Sequence, residues 1–445
     1  VLQRFLNIRR EEAAPLLAAA LYFFFVLTAL QLLRPARDAI GMRGGLDEVR
    51  WLFIGTAVVT LAVNPMFGWL VSRFRRMVFI TTTYVVFAAS LAGFYLLIAV
   101  APAAVGETSG RVFYVWYSVF NLFATMVFWA LMADRFTLEQ SKRIFGVIAV
   151  GGTLGALFGP WLAGRLAEPL GTPALMLVSA GFLGLAVAAA GMVAWLKPDA
   201  GGGEVARARE AEDRAVIGGS AWEGLRAALQ SPYLLGISGY VLMMTVTATF
   251  IYLTRLQMVA AQTDDTDVRT ALFANIDFIT QAATLVLQLV VTGQLMKRFG
   301  VSVALALLPV AASLGFVGLA LVASFASLIL FEATFRAFQR AIARPARETL
   351  FTVVSRQDKY KSKAFTDTFV YRGGDVLGAW TEGALGRLGM GLVGLASVAV
   401  PLAVAWGILG IWLGRRQGSR SASEYAHGMA GARTANVSPE TEAAR

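Results

Sequence analysis

Five charged residues recur at every fourth position inside an apolar stretch. Glu332, Arg336, Arg340, Arg344 and Glu348 fall within FASLILFEATFRAFQRAIARPARETLF, residues 325–351. On an α-helix that spacing stacks side chains along one slowly drifting face. The other positions are mostly Phe, Leu, Ile and Ala, so the pattern is a charged stripe on a helix made for lipid or protein surroundings. Insertion scales charge roughly 2.5–3.5 kcal/mol for an arginine or aspartate at mid-membrane. A residue that carries such a cost is paired, wet or bound to substrate. The stripe is read as the lining of an aqueous path for an anion. Arg336 and Arg340 are its substrate contacts, and Glu332 and Glu348 are coupling or gating groups. A structural reading stands beside this one. Glu332 and Arg336 can pair at i,i+4, and Arg344 and Arg347 can snorkel from a helix end.

Three further clusters carry charge into apolar surroundings. Arg34, Arg37 and Asp38 follow the first apolar run with the spacing RPAR-D. Arginine offers a planar fork of donors that matches phosphate or carboxylate. Arg34 and Arg37 therefore read as a basic vestibule, with Asp38 as a gating group, or else as a capped loop with a local ion pair. Pro35 is expected to turn the backbone or to open a new helix turn. Asp277 lies in LFANIDFITQAATLVLQLV beside Asn275, Thr280, Gln281 and Thr284. Burial raises a carboxylate's pKa, so Asp277 can carry a coupling proton. It can equally be the ion partner of Arg255, at the end of the seventh run, or of Arg336. Asp367, Arg372 and Asp375 can pair among themselves. Lys363 ends the basic segment SRQDKYKSK and is a further anion contact. Tyr117, Asn121 and Trp129 are spaced to face a cavity, although aromatic residues at helical spacing more often pack. Gly151-Gly152-Thr153-Leu154-Gly155 reads as close helix packing. No strand precedes it and the phosphate-loop lysine is missing.

The elements that must position these residues are membrane helices. Of 445 residues, 57% are hydrophobic and only 15% are charged, against about a quarter charged in a soluble domain. Mean hydropathy is +0.64. Twelve apolar runs approach the roughly 20 residues that cross a bilayer. They lie near 13–33, 51–71, 78–101, 111–133, 144–167 and 173–196, then 233–254, 270–295, 301–323, 325–350, 363–386 and 389–414. The first run is too long for a cleavable signal peptide and is expected to be a span. The expected organisation is a six-helix half at 1–196, a cytoplasmic linker at 197–232, a second half at 233–414 and a disordered tail at 415–445. With no cysteine and a single histidine, His427, thiolate chemistry and a histidine-based metal site or triad are excluded. No enzyme activity and no cofactor are expected.

The net charge of +11 would suggest nucleic acid in a soluble chain. Here it reads as orientation signal, because cytoplasmic loops gather Lys and Arg. Arg73, Arg75, Arg76, Arg135, Lys142, Arg143, Lys297, Arg298, Arg356, Lys359, Lys361 and Lys363 fall in loops on one side. Both termini are therefore placed in the cytoplasm. The first loop, with Arg34, Arg37, Arg43 and Arg50, breaks the rule, so those arginines have another job.

The two halves echo each other. Gly68, Leu70, Arg73 and Phe74 return as Gly293, Leu295, Arg298 and Phe299. Ser141-Lys142 followed by Gly151-Gly152 returns as Ser362-Lys363 followed by Gly373-Gly374. Arg34 falls opposite Arg255, and all three offsets are about 221 to 225 residues. Parallel six-span halves mark one major transporter architecture, with its site between the halves. The loop motif Gly68…Arg73-x-Arg75-Arg76 resembles that of the major facilitator superfamily, with Ser72 where the family usually has Asp. The fold expected is an all-α membrane protein of twelve transmembrane helices in two pseudo-symmetric halves.

Four segments carry a more specific likeness: LLRPARD at 32–38, FNLFATMVFWALMADRFTLEQSKRIFG at 120–146, SPYLL at 231–235 and PARETLFTVVSRQDKYKSKAFTD at 345–367. They resemble the ATP/ADP translocase-type nucleotide transporters of plastids and intracellular bacteria, and their bacterial relatives. That family exchanges nucleotides across membranes. The pairs Arg37-Asp38 and Arg347-Glu348 and the segment Lys361-Ser362-Lys363 match its pattern. The resemblance implies that Arg37 and Lys363 contact phosphates. The family has acidic residues within its fourth and seventh helices, and spans four and seven here contain none.

The sequence thus points to a secondary transporter working by alternating access in a bacterial inner membrane. Its substrate is expected to be a phosphorylated anion such as a nucleotide. A monomer in the lipid bilayer is expected, without nucleic-acid partners. Two other readings stay open: a proton-coupled carrier of another small organic ion, and a membrane interaction protein that transports nothing.

Overall fold

A computed structural model describes residues 10–73, 76–101, 103–136, 138–196, 226, 229–290, 292–355, 358, 362–363 and 365–435. The linker, apart from a few residues at its end, and the side chains of most loop cations used for orientation lie outside the described residues.

The first six helices are α1 (Arg10–Gly41), α2 (Leu46–Arg73), α3 (Arg76–Ala99), α4 (Ala103–Arg135), α5 (Leu138–Leu170) and α6 (Ala174–Leu196). After the linker come α7 (Pro232–Ala260), α8 (Thr266–Val290) and α9 (Thr292–Leu321). A tenth rod is composite: α10 (Phe325–Phe338), a π-helical turn (Gln339–Ala343) and α11 (Arg344–Leu350). A second π turn (Thr366–Val370) leads into α12 (Tyr371–Arg387), and α13 (Leu392–Ala435) is last. Among the described residues these make twelve helical rods. Among the described residues, nine helices are long and apolar enough to cross a membrane.

The chain divides into two compact units. One holds residues 1–216, 248–285 and 375–389; the other holds 217–247, 286–374 and 390–445. In the first, α1 is the central element. It packs against α4, α5 and α6, and its Tyr22, Val26, Ala29 and Leu33 are fully buried. The glycine run makes the α1–α5 seam. A methyl group at Gly155 would lie 2.3 Å from the Phe24 carbonyl oxygen, and one at Gly151 2.3 Å from that of Ala20. Backbone stands against backbone there, which only glycine permits. Tyr22 and Tyr84 join hydroxyls at 2.9 Å, and Tyr84 donates to the Ala124 carbonyl. Trp129 packs on Phe23, Phe128 and Phe145, so it is a packing residue. In the second unit α9 packs on α13 and α10. The Tyr240 hydroxyl donates to the Leu305 carbonyl and its ring meets Trp406 edge-on.

Two sequence expectations change. Pro35 does not end the first helix, because α1 runs through it to Gly41. Membrane helices tolerate an internal proline where neighbouring groups satisfy the freed carbonyl. The segment read as a loop therefore keeps Arg34, Arg37 and Asp38 on one continuous helix. The last helix continues to Ala435, into the stretch read as a disordered tail. Ala, Arg, Glu and Met there are good helix formers. Arg420, in that extension, stacks over Tyr233 at 4.5 Å.

Candidate functional site

Asp38 is fully buried near the end of α1, and three donors converge on it. Arg255 Nη2 reaches Oδ2 at 2.6 Å, while Arg37 Nε and the Tyr252 hydroxyl reach Oδ1 at 2.9 Å each. Arg255 is itself fully buried, and its Nη1 donates to Asp277 Oδ1 at 2.8 Å. Arg34 Nε approaches the other oxygen of Asp277 at 3.6 Å. The charges thus alternate along one chain: Arg37, Asp38, Arg255, Asp277, Arg34. Along this chain three guanidinium groups share two carboxylates.

Aromatic rings hold the cations. The Arg37 guanidinium lies 4.8 Å from the Tyr114 ring centre and 5.1 Å from that of Tyr117. Arg255 lies 4.8 Å from Phe273. Rings in this position stabilise a desolvated cation through their quadrupole. The Tyr114 and Tyr252 hydroxyls meet at 3.1 Å, and Tyr117 donates to the Leu30 carbonyl at 3.0 Å. Tyr117 is buried beside Arg37, whereas Asn121 is exposed. Arg34 and Arg255, placed opposite each other by the internal repeat, meet on the single carboxylate of Asp277. Asp277 is thus an ion partner of Arg255, while Arg336 pairs elsewhere.

A second cluster in the same unit centres on Glu382 of α12. Its Oε2 accepts from Arg50 Nη2 at 2.8 Å and Nε at 3.3 Å, and its Oε1 accepts from Gln257. Arg50 also bonds Asp47. Sequence reasoning marked Arg50 only as a rule-breaker and missed Glu382, Gln257 and Tyr252. The one signal for Glu382 is a carboxylate inside the run at 363–386 read as a membrane span.

The other unit holds the every-fourth-residue stripe. Glu332 is fully buried and accepts from Arg336 Nε at 2.8 Å. The π turn then interrupts the rod: the Arg344 backbone N–H reaches back to the Gln339 carbonyl, five residues earlier. A wider turn shifts the phase of the residues after it, and Arg344 ends exposed. Arg340 lies within that turn. Glu348 accepts from Lys363 Nζ at 2.6 Å, and Arg347 faces Asp367 at 3.8 Å. Asp375, in the first unit, accepts from the Thr249 hydroxyl at 3.5 Å. The ten charged residues singled out in the sequence therefore fall into two groups. Arg34, Arg37, Asp38, Arg255 and Asp277 share one unit; Glu332, Arg336, Arg340, Glu348 and Lys363 share the other. Among the described residues no group of His, Cys, Asp and Glu could hold a metal ion.

Comparison with known proteins agrees with this architecture. The profile of the Major Facilitator Superfamily matches residues 16–338. Similar solved structures include a bacterial homologue of the human lysosomal transporter Spinster, inward-facing and unoccupied. It is 13% identical with a TM-score of 0.56, covering 93% of this chain and 98% of that one. A POT family transporter in complex with a thioalcohol-conjugated peptide is 11% identical, with a TM-score of 0.60, over 88% and 96% of the two chains. The nucleoside transporter NupG is 11% identical, with a TM-score of 0.54, over 91% and 99%. No curated protein sequence matches. At these identities the structures establish the fold alone, while the profile spans most of the chain. The chain belongs to the Major Facilitator Superfamily and is an integral membrane protein that acts as a secondary transporter.

Proposed function

We propose that this transporter carries a small anionic, phosphorylated metabolite, with nucleotides such as ATP and ADP as leading candidates. The observation that carries the reading is the gathering of arginine side chains on apolar helices in both groups. Arg34, Arg37 and Arg255 stand against Asp38 and Asp277. Arg336, Arg347 and Lys363 pair with Glu332, Asp367 and Glu348, and Arg340 and Arg344 lie on the same rod. Charge in a membrane interior is costly, and a bound anion offsets that of the arginines. The arginine forks suit phosphate oxygens in particular. The π turn around Arg340 adds weight, since such turns frequently occur at functional sites. The match of Arg37-Asp38 and Lys361-Ser362-Lys363 to the nucleotide exchangers points the same way.

In this reading Arg37, with Arg34 and Arg255 in support, is the anion contact of one unit, and Arg336, Arg340 and Lys363 are those of the other. Asp38, Asp277, Glu332 and Glu348 hold the cations when no substrate is present, and serve in coupling or gating. Residues 1–196 and 233–414 act as the two halves of an alternating-access cycle. The termini face the cytoplasm of a bacterial cell, and a monomer suffices. A thermal-shift screen of the purified protein tests the substrate class. Nucleotides and phosphorylated metabolites are expected to raise the melting temperature, and their dephosphorylated counterparts are not. Stabilisation by neutral or cationic compounds alone would sink the reading.

A further inference from the structure

The apolar part of α13 ends where it is pinned on two sides. A methyl group at Gly414 would lie 2.5 Å from Ser302 Cα and 2.6 Å from its backbone nitrogen, so backbone stands against backbone where α13 meets α9. One at Gly236 would lie 2.8 Å from Cζ3 of Trp412, so that indole rests on the start of α7. The apolar run stops at Leu413, and Arg415 and Arg416 follow, both exposed. Arg420, one turn further, is the residue over Tyr233. Arg298 lies four residues before Ser302 and is exposed, as is its neighbour Phe299. All of these residues belong to the second unit.

Nothing in the helix itself calls for cations here. It continues to Ala435, so the carbonyls around Arg415 and Arg416 are bonded within it and need no cationic cap. Among the described residues, Arg298, Arg415 and Arg416 form no ion pair. Counted from Ile408, Ile411, Trp412, Arg415 and Arg416 come three, four, seven and eight residues later, which sets them on one face of α13. All five are exposed. That face is apolar up to Trp412 and cationic beyond it. At 1.5 Å per residue, Arg415 and Arg416 stand about 3–5 Å past Leu413, within a headgroup layer about 5–8 Å deep. Trp412 sits at the depth where indole rings gather, and the Arg416 guanidinium lies 5.9 Å from its ring centre.

We propose that this end of the second unit is a binding site for one anionic phospholipid. Its phosphate is held by Arg415 and Arg416, with Arg298 from the neighbouring helix, and its acyl chains run along Ile408, Ile411 and Trp412. The arginine fork matches phosphate oxygens in pairs. A zwitterionic lipid brings its own ammonium group and gains less from three cations. The acyl chains decide between a lipid and a free phosphate, because only a lipid covers the apolar stretch of the same face. The close contacts at Gly414 and Gly236 fix the backbone that carries the arginines before the lipid arrives, so less ordering is lost on binding. Orientation of the chain asks only for charge on one side. It needs neither the guanidinium fork nor the apolar stripe beneath it.

The measurement is native mass spectrometry of the full chain in detergent, titrated with phosphatidylglycerol. One phosphatidylglycerol is expected to bind, more tightly than phosphatidylcholine does. Arg415→Ala with Arg416→Ala is expected to weaken it on the order of thirtyfold. Arg165→Ala with Arg387→Ala removes the same charge from exposed positions of the other unit and is expected to leave binding unchanged. Glycerol 3-phosphate in excess is expected not to displace the lipid. Parent-like binding in Arg415→Ala with Arg416→Ala would overturn the site. So would an equal loss in both double variants, or phosphatidylcholine binding as well as phosphatidylglycerol. Displacement by glycerol 3-phosphate would assign the arginines to a soluble anion and overturn the lipid. None of these outcomes depends on which anion is transported.

Discussion

Arg255→Met is expected to lower stability by about 3–5 kcal/mol, the range for breaking a buried ion pair by removing one partner. Arg255 is fully buried and bridges Asp38 and Asp277 at 2.6 and 2.8 Å. At an effective dielectric of 20, unit charges 4 Å apart attract by about 4 kcal/mol. That gain is largely spent on desolvation while all partners are present. Without Arg255, Asp38 keeps Arg37 and the Tyr252 hydroxyl, whereas Asp277 loses its short ion pair and keeps the longer contact to Arg34. The desolvation of two carboxylates is then poorly offset. A large drop in melting temperature, with loss of monodisperse protein, is the expected result. Arg255→Met combined with Asp277→Asn removes the stranded charge and should recover part of the loss. A melting temperature equal to the parent's in Arg255→Met would show that the network is hydrated and carries no such load.

Arg340→Ala is expected to weaken anion binding by about ten- to a hundredfold. A hydrogen bond to a charged group contributes about 1.5–3 kcal/mol, and each 1.4 kcal/mol is a factor of ten. Arg336 holds the fully buried Glu332, so its truncation mixes lost binding with a stranded carboxylate. Arg340 sits in the π turn and is half-buried. Arg340→Lys keeps the charge without the planar fork and should retain part of the affinity. Equilibrium binding of a phosphorylated ligand found in the thermal-shift screen measures both. Full affinity in Arg340→Ala would remove Arg340 from the anion site.

Much of this was legible from composition and charge placement. Membrane composition fixed the helical class, and the parallel repeat indicated the superfamily architecture. Charges in apolar runs are rare enough that Arg34, Arg37, Asp38, Arg255 and Asp277 stood out one by one. Their assembly did not. Asp38 and Arg255 are 217 residues apart, and a single sequence carries no record of which distant charges meet. The repeat gave a partial clue, because it set Arg34 and Arg255 in equivalent places. Pro35 misled, since proline is a breaker in water and tolerable within a packed membrane helix. The π turn at Gln339–Ala343 has no composition of its own. The every-fourth-residue count therefore ran through it unbroken, while the helix changed phase. Glu382 was overlooked because its meaning lies in Arg50, on the far side of the sequence.

Counterflow in proteoliposomes tests the central claim most directly. Vesicles loaded with an unlabelled nucleotide or phosphorylated metabolite, with no proton gradient, are given the labelled compound outside. The expected result is transient accumulation of label, strongly reduced in Arg340→Ala. Uptake that requires a proton gradient, prefers a neutral or cationic compound and survives Arg340→Ala would contradict the account.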